Sequence, residues 1–179
     1  MKYFTFTDSP LGPMLLTSNG AALTGAYFVG QRHYPPVADD WRQAPEAAPF
    51  AAAREALRAY FTEGRAAMAV PLKPEGTDYQ RRIWRAIATA PFATTISYGE
   101  LSARLGNPQG ARAAGAATGR NPLSLFIPCH RIVGGDGALT GYAGGLERKR
   151  ALLAFEARVA AGLDPAFPAL QVRAEPETV

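Results

Sequence analysis

The chain has 179 residues, a formal net charge of +4 and one cysteine. This length allows one large domain or two small ones, and one cysteine excludes both a disulfide scaffold and a cysteine-rich zinc site. The opening MKYFTFTDSPLG lacks the features of a signal peptide, and no apolar run approaches the roughly 18 residues of a membrane span, so we expect a cytoplasmic protein.

The positive charge is unevenly distributed along the chain. Residues 1–76 carry seven basic and seven acidic side chains, whereas residues 77–179 carry twelve and eight. Arginine supplies 16 of the 19 basic residues, and its planar guanidinium suits phosphates and base edges. A genome rich in G and C would produce the same arginine bias, and charge alone does not separate the two explanations.

The first part of the chain predicts a small sheet with one helix. Asn19-Gly20 between two apolar runs is a hairpin signal, and apolar residues at three- and four-residue spacing before Gly64 predict a helix. No chemical motif stands out here. The predicted elements are strands at Tyr3–Thr7, Met14–Thr17 and Leu23–Phe28, a long loop over 31–49, and a helix from Phe50 to Thr62.

The segment KPEGTD marks the predicted domain boundary, because proline, glycine and a helix-capping residue occur together. We therefore predict an N-terminal domain at residues 1–76 and a C-terminal domain at residues 77–179. The first is a sheet-plus-helix unit and the second is mostly helical. The predicted fold class is α/β of the α+β type, with a winged helix-turn-helix-like DNA-binding motif in the second domain.

The helix-turn-helix prediction rests on two short helices. Ser97 and Glu100 form a capping box that opens the first helix, and Gly106-Asn107-Pro108 breaks the chain after it. A second helix is expected from about Gln109 to Thr118. Two short helices joined by a tight, glycine-containing turn are typical of a helix-turn-helix.

The second of these helices, within GARAAGAATGR, has almost only alanine and glycine side chains apart from Arg112 and Arg120. Small residues let a helix backbone approach another surface closely. Two interpretations follow: tight packing inside the protein, which the pattern alone favours slightly, or entry into the minor groove of DNA, which is only about 6 Å wide.

A candidate reactive group lies in LFIPCHRIV, a strand-like apolar run interrupted at Pro128. A lone buried cysteine is more often inert than nucleophilic. Here, however, His130 could take the proton of the Cys129 thiol, and Arg131 adds positive charge that favours the thiolate. Pro128 breaks the strand alternation, so Cys129 and His130 need not face opposite sides.

The final predicted helix, Leu146 to Ala160, offers a group that could orient His130. Glu156 falls within the apolar stripe of this helix, and a buried carboxylate is costly unless it is paired. The pattern leaves two alternatives for Glu156: it pairs with His130, or it lies at the edge of the apolar stripe with its carboxylate in solvent. The glycine-rich GGDGALTGYAGG before the helix suits either a ligand-binding loop or a plain hairpin.

Several motifs together resemble the 6-O-alkylguanine-DNA alkyltransferases, the methylated-DNA–protein-cysteine methyltransferases. They are GTDYQRRIWRAI, SYGELSARLGN, RNP, IPCHRIV and GYAGG, followed by a helix bearing a glutamate. The resemblance implies direct, irreversible transfer of an alkyl group from 6-O-alkylguanine in flipped-out duplex DNA to the protein. Transfer from 4-O-alkylthymine is left open. No cofactor or metal is expected.

The resemblance also implies roles for single residues. Cys129 would accept the alkyl group, His130 would act as its base through a water, and Glu156 would orient and polarise His130. Asn121 would brace the turn before the site. Among the implied DNA contacts, Tyr98 would donate to the flipped base and crowd its 3′ phosphate, and Arg112 would fill the gap in the base stack. The backbones of Cys129, Ile132 and Ala143 would read the purine edge. Tyr142 would line the pocket.

The implied partner is double-stranded DNA, bound through the minor groove by a monomer, and cooperation between copies is left open. The chain departs from the family at Ala143, where some members have serine, and at Ala151 and Phe155, which are often Trp and His in bacterial members. Two alternative functions are a non-catalytic sensor of alkylated DNA and a cysteine hydrolase unrelated to DNA. The hydrolase would leave the small-residue helix and Tyr98 unexplained.

Overall fold

A computed structural model describes residues 1–64, 69–165 and 167 of the chain. The N-terminal part is a four-stranded sheet with strand order β3-β2-β1-β4, followed by a helix. β1 and β2, like β2 and β3, pair antiparallel, and β4 joins β1 in parallel. The elements are β1 (Tyr3–Thr7), β2 (Met14–Ser18), β3 (Leu23–Phe28), β4 (Arg42–Gln43) and α1 (Phe50–Glu63).

The C-terminal part is mostly helical, with one two-stranded parallel sheet of β5 and β6. None of the helices in the described ranges is long and apolar enough to cross a membrane. The elements are α2 (Asp78–Ala88), β5 (Ile96–Ser97), α3 (Tyr98–Arg104), α4 (Ala111–Gly119), a 3-10 turn (Cys129–Arg131), β6 (Ile132–Val133) and α5 (Leu146–Ala160).

The predicted fold class, a sheet-plus-helix unit followed by a helical unit, is confirmed. Local signals account for this success. Gly64 ends α1 in the left-handed conformation, and Ser97 with Glu100 forms the predicted capping box. The expected loop over 31–49 is wrong at one point, because β4 lies within it. The division of the chain at residue 76 stays a prediction.

The turn between α3 and α4 is tight. The N–H of Gly110 donates to the carbonyl of Asn107 (3.0 Å). A Cβ on Gly110 would overlap the side chains of Ser102 and Asn107. The sequence therefore needs glycine here to set α4 against α3.

One core joins the two parts of the chain. Its aromatic centre is Phe155 of α5, whose ring lies 5.4 Å from that of Tyr60 in α1 and 5.0 Å from that of Phe167. Phe155 therefore fills core volume, while Ala151 is half-buried beside it. The prolines and polar residues that follow Gly162 predict little order, and this prediction falls largely outside the described residues. Phe167, which is described, packs on this core.

Candidate active site

Cys129 begins a single turn of 3-10 helix that Pro128 introduces. The N–H of Cys129 donates to Ile127 (2.7 Å), and that of Arg131 donates to Pro128 (3.0 Å). The predicted interruption of the strand-like run at Pro128 is therefore confirmed, whereas the run before it is not a strand and only Ile132–Val133 is. The turn buries both Cys129, 4% exposed, and His130.

Asn121 contacts the thiol directly. Its side-chain nitrogen lies 3.0 Å from Sγ of Cys129 and donates to the carbonyl of Ile127 at 2.9 Å. Its oxygen accepts from the N–H of Leu123 at 3.0 Å. Because a backbone donor occupies the oxygen, the amide N–H group must face the sulfur. Such a donor favours the thiolate over the thiol.

Burial raises the pKa of the Cys129 thiol, and the Asn121 hydrogen bond and the charge of Lys149 lower it without fully compensating. Lys149 is fully buried, and its Nζ donates to Ile132 and, at 2.9 Å, to Thr140. The cation that acts on the thiol is thus Lys149, not Arg131 as the sequence suggested. Its spacing of three from Leu152 on α5 could have identified Lys149 as inward-facing.

His130 and Glu156 form the predicted pair, with 2.8 Å between Nε2 and Oε1. Burial lowers the pKa of His130, and Glu156 only partly offsets this effect. The imidazole is therefore neutral, and its Nε2–H donates to the carboxylate. Nδ1 has no hydrogen-bond partner among the described residues, so its lone pair is the one free to take a proton.

Glu156 has three further donors that the sequence did not reveal. Arg131 donates from Nη2 to Oε1 (2.7 Å) and from Nε to Oε2 (2.9 Å), Tyr60 donates to Oε1 (2.8 Å), and the N–H of Ala93 donates to Oε2 (3.0 Å). Burial alone would raise the pKa of Glu156, but the bonds from His130 and Arg131 bring it down to about 2. No pattern in α1 marks Tyr60 as a site residue.

The helix α4 has two different faces. Ala114, Ala117 and Thr118 are buried, and Nε1 of Trp84 in α2 donates to the carbonyl of Ala117 (2.8 Å). This face fits the packing interpretation. Arg112 lies on the exposed face, where its side chain makes no hydrogen bond or ion pair with the part of the chain described. Groove entry and the role of Arg112 stay predictions.

The remaining predicted contacts surround the glycine-rich loop. The hydroxyl of half-buried Tyr98 donates to Thr140 (3.0 Å). The carbonyl of buried Ile132 accepts from Lys149, and that of Ala143 accepts from the N–H of Arg32 (3.0 Å). Buried Tyr142 and half-buried Ala143 line a cavity of about 260 Å³ whose opposite wall is the small-residue helix α4.

Comparison with known proteins covers both parts of the chain. Residues 2–74 match the profile of the 6-O-methylguanine DNA methyltransferase ribonuclease-like domain, and residues 78–158 match that of its DNA-binding domain. A methylated-DNA–protein-cysteine methyltransferase of Mycobacterium tuberculosis is 43% identical over 87% of this chain and 93% of its own length. One from Haemophilus influenzae is 42% identical over 86% of each chain.

Solved structures agree. The crystal structure of Mycobacterium tuberculosis OGT in complex with DNA superimposes with a TM-score of 0.80 at 41% identity, over 87% of this chain and 92% of that one. A methyltransferase from Pyrococcus kodakaraensis, 19% identical, shares the fold with a TM-score of 0.59. Cys129 beside His130 and Glu156 thus lies in a chain that belongs to the 6-O-methylguanine DNA methyltransferase family.

Proposed function

We propose that this chain repairs DNA by transferring the alkyl group of 6-O-alkylguanine in duplex DNA to Sγ of Cys129. The observation that carries the proposal is the buried arrangement of the thiol, the Asn121 amide 3.0 Å from it, and the His130–Glu156 pair. Relatives more than 40% identical over most of their length are named for this activity.

The transfer forms one bond and breaks one. The sulfur of Cys129 attacks the alkyl carbon, and the electron pair of the carbon–oxygen bond goes to O6 of guanine. The thiol proton passes to Nδ1 of His130 through a bridging water. The guanine anion that leaves takes up one proton and the protonated His130 gives one up, so the imidazole returns to its neutral form and no net proton is gained or lost. Asn121 and Lys149 stabilise the developing thiolate, whose formation burial opposes. No step restores the thiol, so each chain reacts once.

The target oxygen is hidden in the duplex, so the base must leave the stack at a cost of a few kcal/mol. The exposed face of α4 would lie in the minor groove, and Arg112 would fill the gap left by the base. Tyr98, Tyr142 and Ala143 would bound the flipped base. A monomer carries all these groups, and a cytoplasmic location would keep the thiol reduced.

Mass spectrometry tests the proposal. After incubation with duplex DNA containing 6-O-methylguanine, the peptide containing Cys129 is expected to gain one methyl group and the DNA to contain guanine. A Cys129→Ala variant should bind the DNA and gain nothing. Binding by the unsubstituted chain with the lesion recovered intact would instead identify a damage sensor, and repeated turnover would identify a hydrolase.

A further inference from the structure

Three basic side chains, from both parts of the chain, line one cavity. Arg32 and His33 follow β3 in the N-terminal part, and Arg120 follows α4. The cavity is the one of about 260 Å³ that Tyr142 and Ala143 also line. We call Arg32, His33 and Arg120 the basic rim. One wall of this cavity is thus supplied by residues outside the range that matches the DNA-binding domain.

The basic rim has no anion of its own. All three side chains are exposed, and none makes a hydrogen bond or ion pair with any part of the chain that the structure describes. Slight burial lowers the pKa of His33, and the positive charges of Arg120 and Arg32 lower it further. The two arginines therefore lie close enough to His33 to interact with it electrostatically. The positive charges of Arg32 and Arg120, gathered at one opening, favour an anionic ligand, and the His33 imidazole adds a hydrogen-bonding group beside them.

The segment that carries Arg32 and His33 is held in place. The N–H of Arg32 donates to Ala143 (3.0 Å), and the N–H of Tyr34 donates to Gln31 (3.1 Å). Gln31 is buried, and its side-chain oxygen accepts from the N–H of Phe28 (2.8 Å). His33 itself adopts a left-handed backbone with φ of 61°, which a non-glycine residue rarely does. The backbone that carries the two side chains is therefore fixed beside the opening.

We propose that the basic rim binds the phosphates of the DNA strand that flank the flipped nucleotide, so that the N-terminal part of the chain takes a direct part in DNA recognition. A flipped base remains attached to phosphates on both sides, and these meet the mouth of the pocket that receives it. The planar guanidinium groups of Arg32 and Arg120 suit phosphate oxygens in particular. This inference rests on the proposed function, because it takes the cavity as the pocket for the base.

Salt-dependent binding tests the basic rim. In a Cys129→Ala background, which cannot react, affinity for a duplex with one 6-O-methylguanine is measured over a salt series for Arg32→Ala, Arg120→Ala and the pair. Removing one interaction between an arginine and a phosphate should reduce the slope of log Kd against log salt by about 0.9. Arg32→Lys keeps the charge and should retain most of the slope.

The matched control is Arg42→Ala. Arg42 is also an exposed arginine of the N-terminal part, but it lies on β4, at the edge of the sheet opposite β3. Binding by Arg32→Ala and Arg120→Ala indistinguishable from that of Arg42→Ala would overturn the inference.

A second measurement separates the phosphate interaction from damage to the pocket. With Cys129 restored, reaction with free 6-O-benzylguanine, which has no phosphate, should fall less than reaction with DNA. Equal losses on the two substrates would overturn the phosphate role. Failure of the proposed function looks different, because the unsubstituted chain would then gain no alkyl group on Cys129 whatever the rim variants do.

Discussion

Glu156 is the ionised hydrogen-bond partner of His130. A buried carboxylate is costly by itself, yet this one receives hydrogen bonds from His130, Arg131, Tyr60 and the backbone of Ala93. With its pKa near 2 it is ionised at neutral pH, while burial keeps His130 neutral. A neutral imidazole held by an ionised carboxylate is the arrangement a general base requires.

The residue-scale prediction is that Glu156→Gln slows alkyl transfer more than it weakens DNA binding. Glutamine keeps the shape but loses the negative charge that stabilises a protonated His130. General-base catalysis contributes about 10²- to 10⁴-fold, so we expect a rate loss of roughly 10²-fold at saturating DNA. Single-turnover transfer and DNA affinity are both measured.

Glu147→Gln is the control for this substitution, because Glu147 is an exposed carboxylate in the first turn of the same helix. Its rate and affinity should stay unchanged. Circular dichroism establishes that both variants are folded. Equal losses of rate and affinity in Glu156→Gln would contradict the proposed role.

At the scale of elements, the sequence predicts structure where a local pattern decides it. The bounds of α5 follow from its apolar spacing, and the start of α3 follows from its capping box. The 3-10 turn at Cys129 could not be predicted, because an apolar run is typical of a strand. Pro128 indicates where that strand is interrupted but not which conformation follows. Tyr60 lies 96 residues from Glu156, and a contact over that distance leaves no local signal.

The two-faced helix α4 gives the prediction at this scale. Its packed face is fixed by α2 and α3, so Arg112 on the exposed face is free to enter the duplex. If Arg112 offsets about 1.4 kcal/mol of the cost of flipping, Arg112→Ala should slow repair of duplex DNA about 10-fold. Reaction with free 6-O-benzylguanine, which needs no flipping, should be nearly unchanged.

Arg42→Ala again serves as the charge-matched control, and it should leave repair of duplex DNA intact. Rates on duplex DNA and on the free base are compared under single-turnover conditions. Similar losses on both substrates in Arg112→Ala would mean that the substitution disturbs the pocket and not the stacking of the extruded site.

At the scale of the whole molecule, the N-terminal part supplies side chains that contact functional residues of the C-terminal part. Its formal charge is balanced along the sequence, yet folding places Arg32 beside Arg120 and Tyr60 against Glu156. Arg148 adds another link, donating to Leu11 and Gly144 at 2.8 Å each and stacking over Phe28. Charge counted by sequence segment therefore understates what this part contributes to the site.

The bond between Tyr60 and Glu156 yields a prediction about stability. Hydrogen bonds to charged groups contribute about 1.5–3 kcal/mol, so Tyr60→Phe should lower the free energy of unfolding by about 2 kcal/mol at pH 7. The folded-state pKa of Glu156, about 2, lies below its ordinary 4.5. Ionised Glu156 thus stabilises the fold above pH 4.5, and this stabilisation is lost as the pH falls towards 2.

The deficit of Tyr60→Phe should therefore stay constant from pH 7 to about 4.5 and shrink as the pH falls from 4.5 towards 2, as measured by urea denaturation at each pH. Tyr79→Phe is the matched control, because the buried hydroxyl of Tyr79 has no hydrogen-bond partner within the described ranges. Removing this hydroxyl should leave the free energy of unfolding unchanged at every pH. A deficit in Tyr60→Phe that stays constant down to pH 2 would mean that the space left by the missing hydroxyl, and not the bond to the carboxylate, explains the effect.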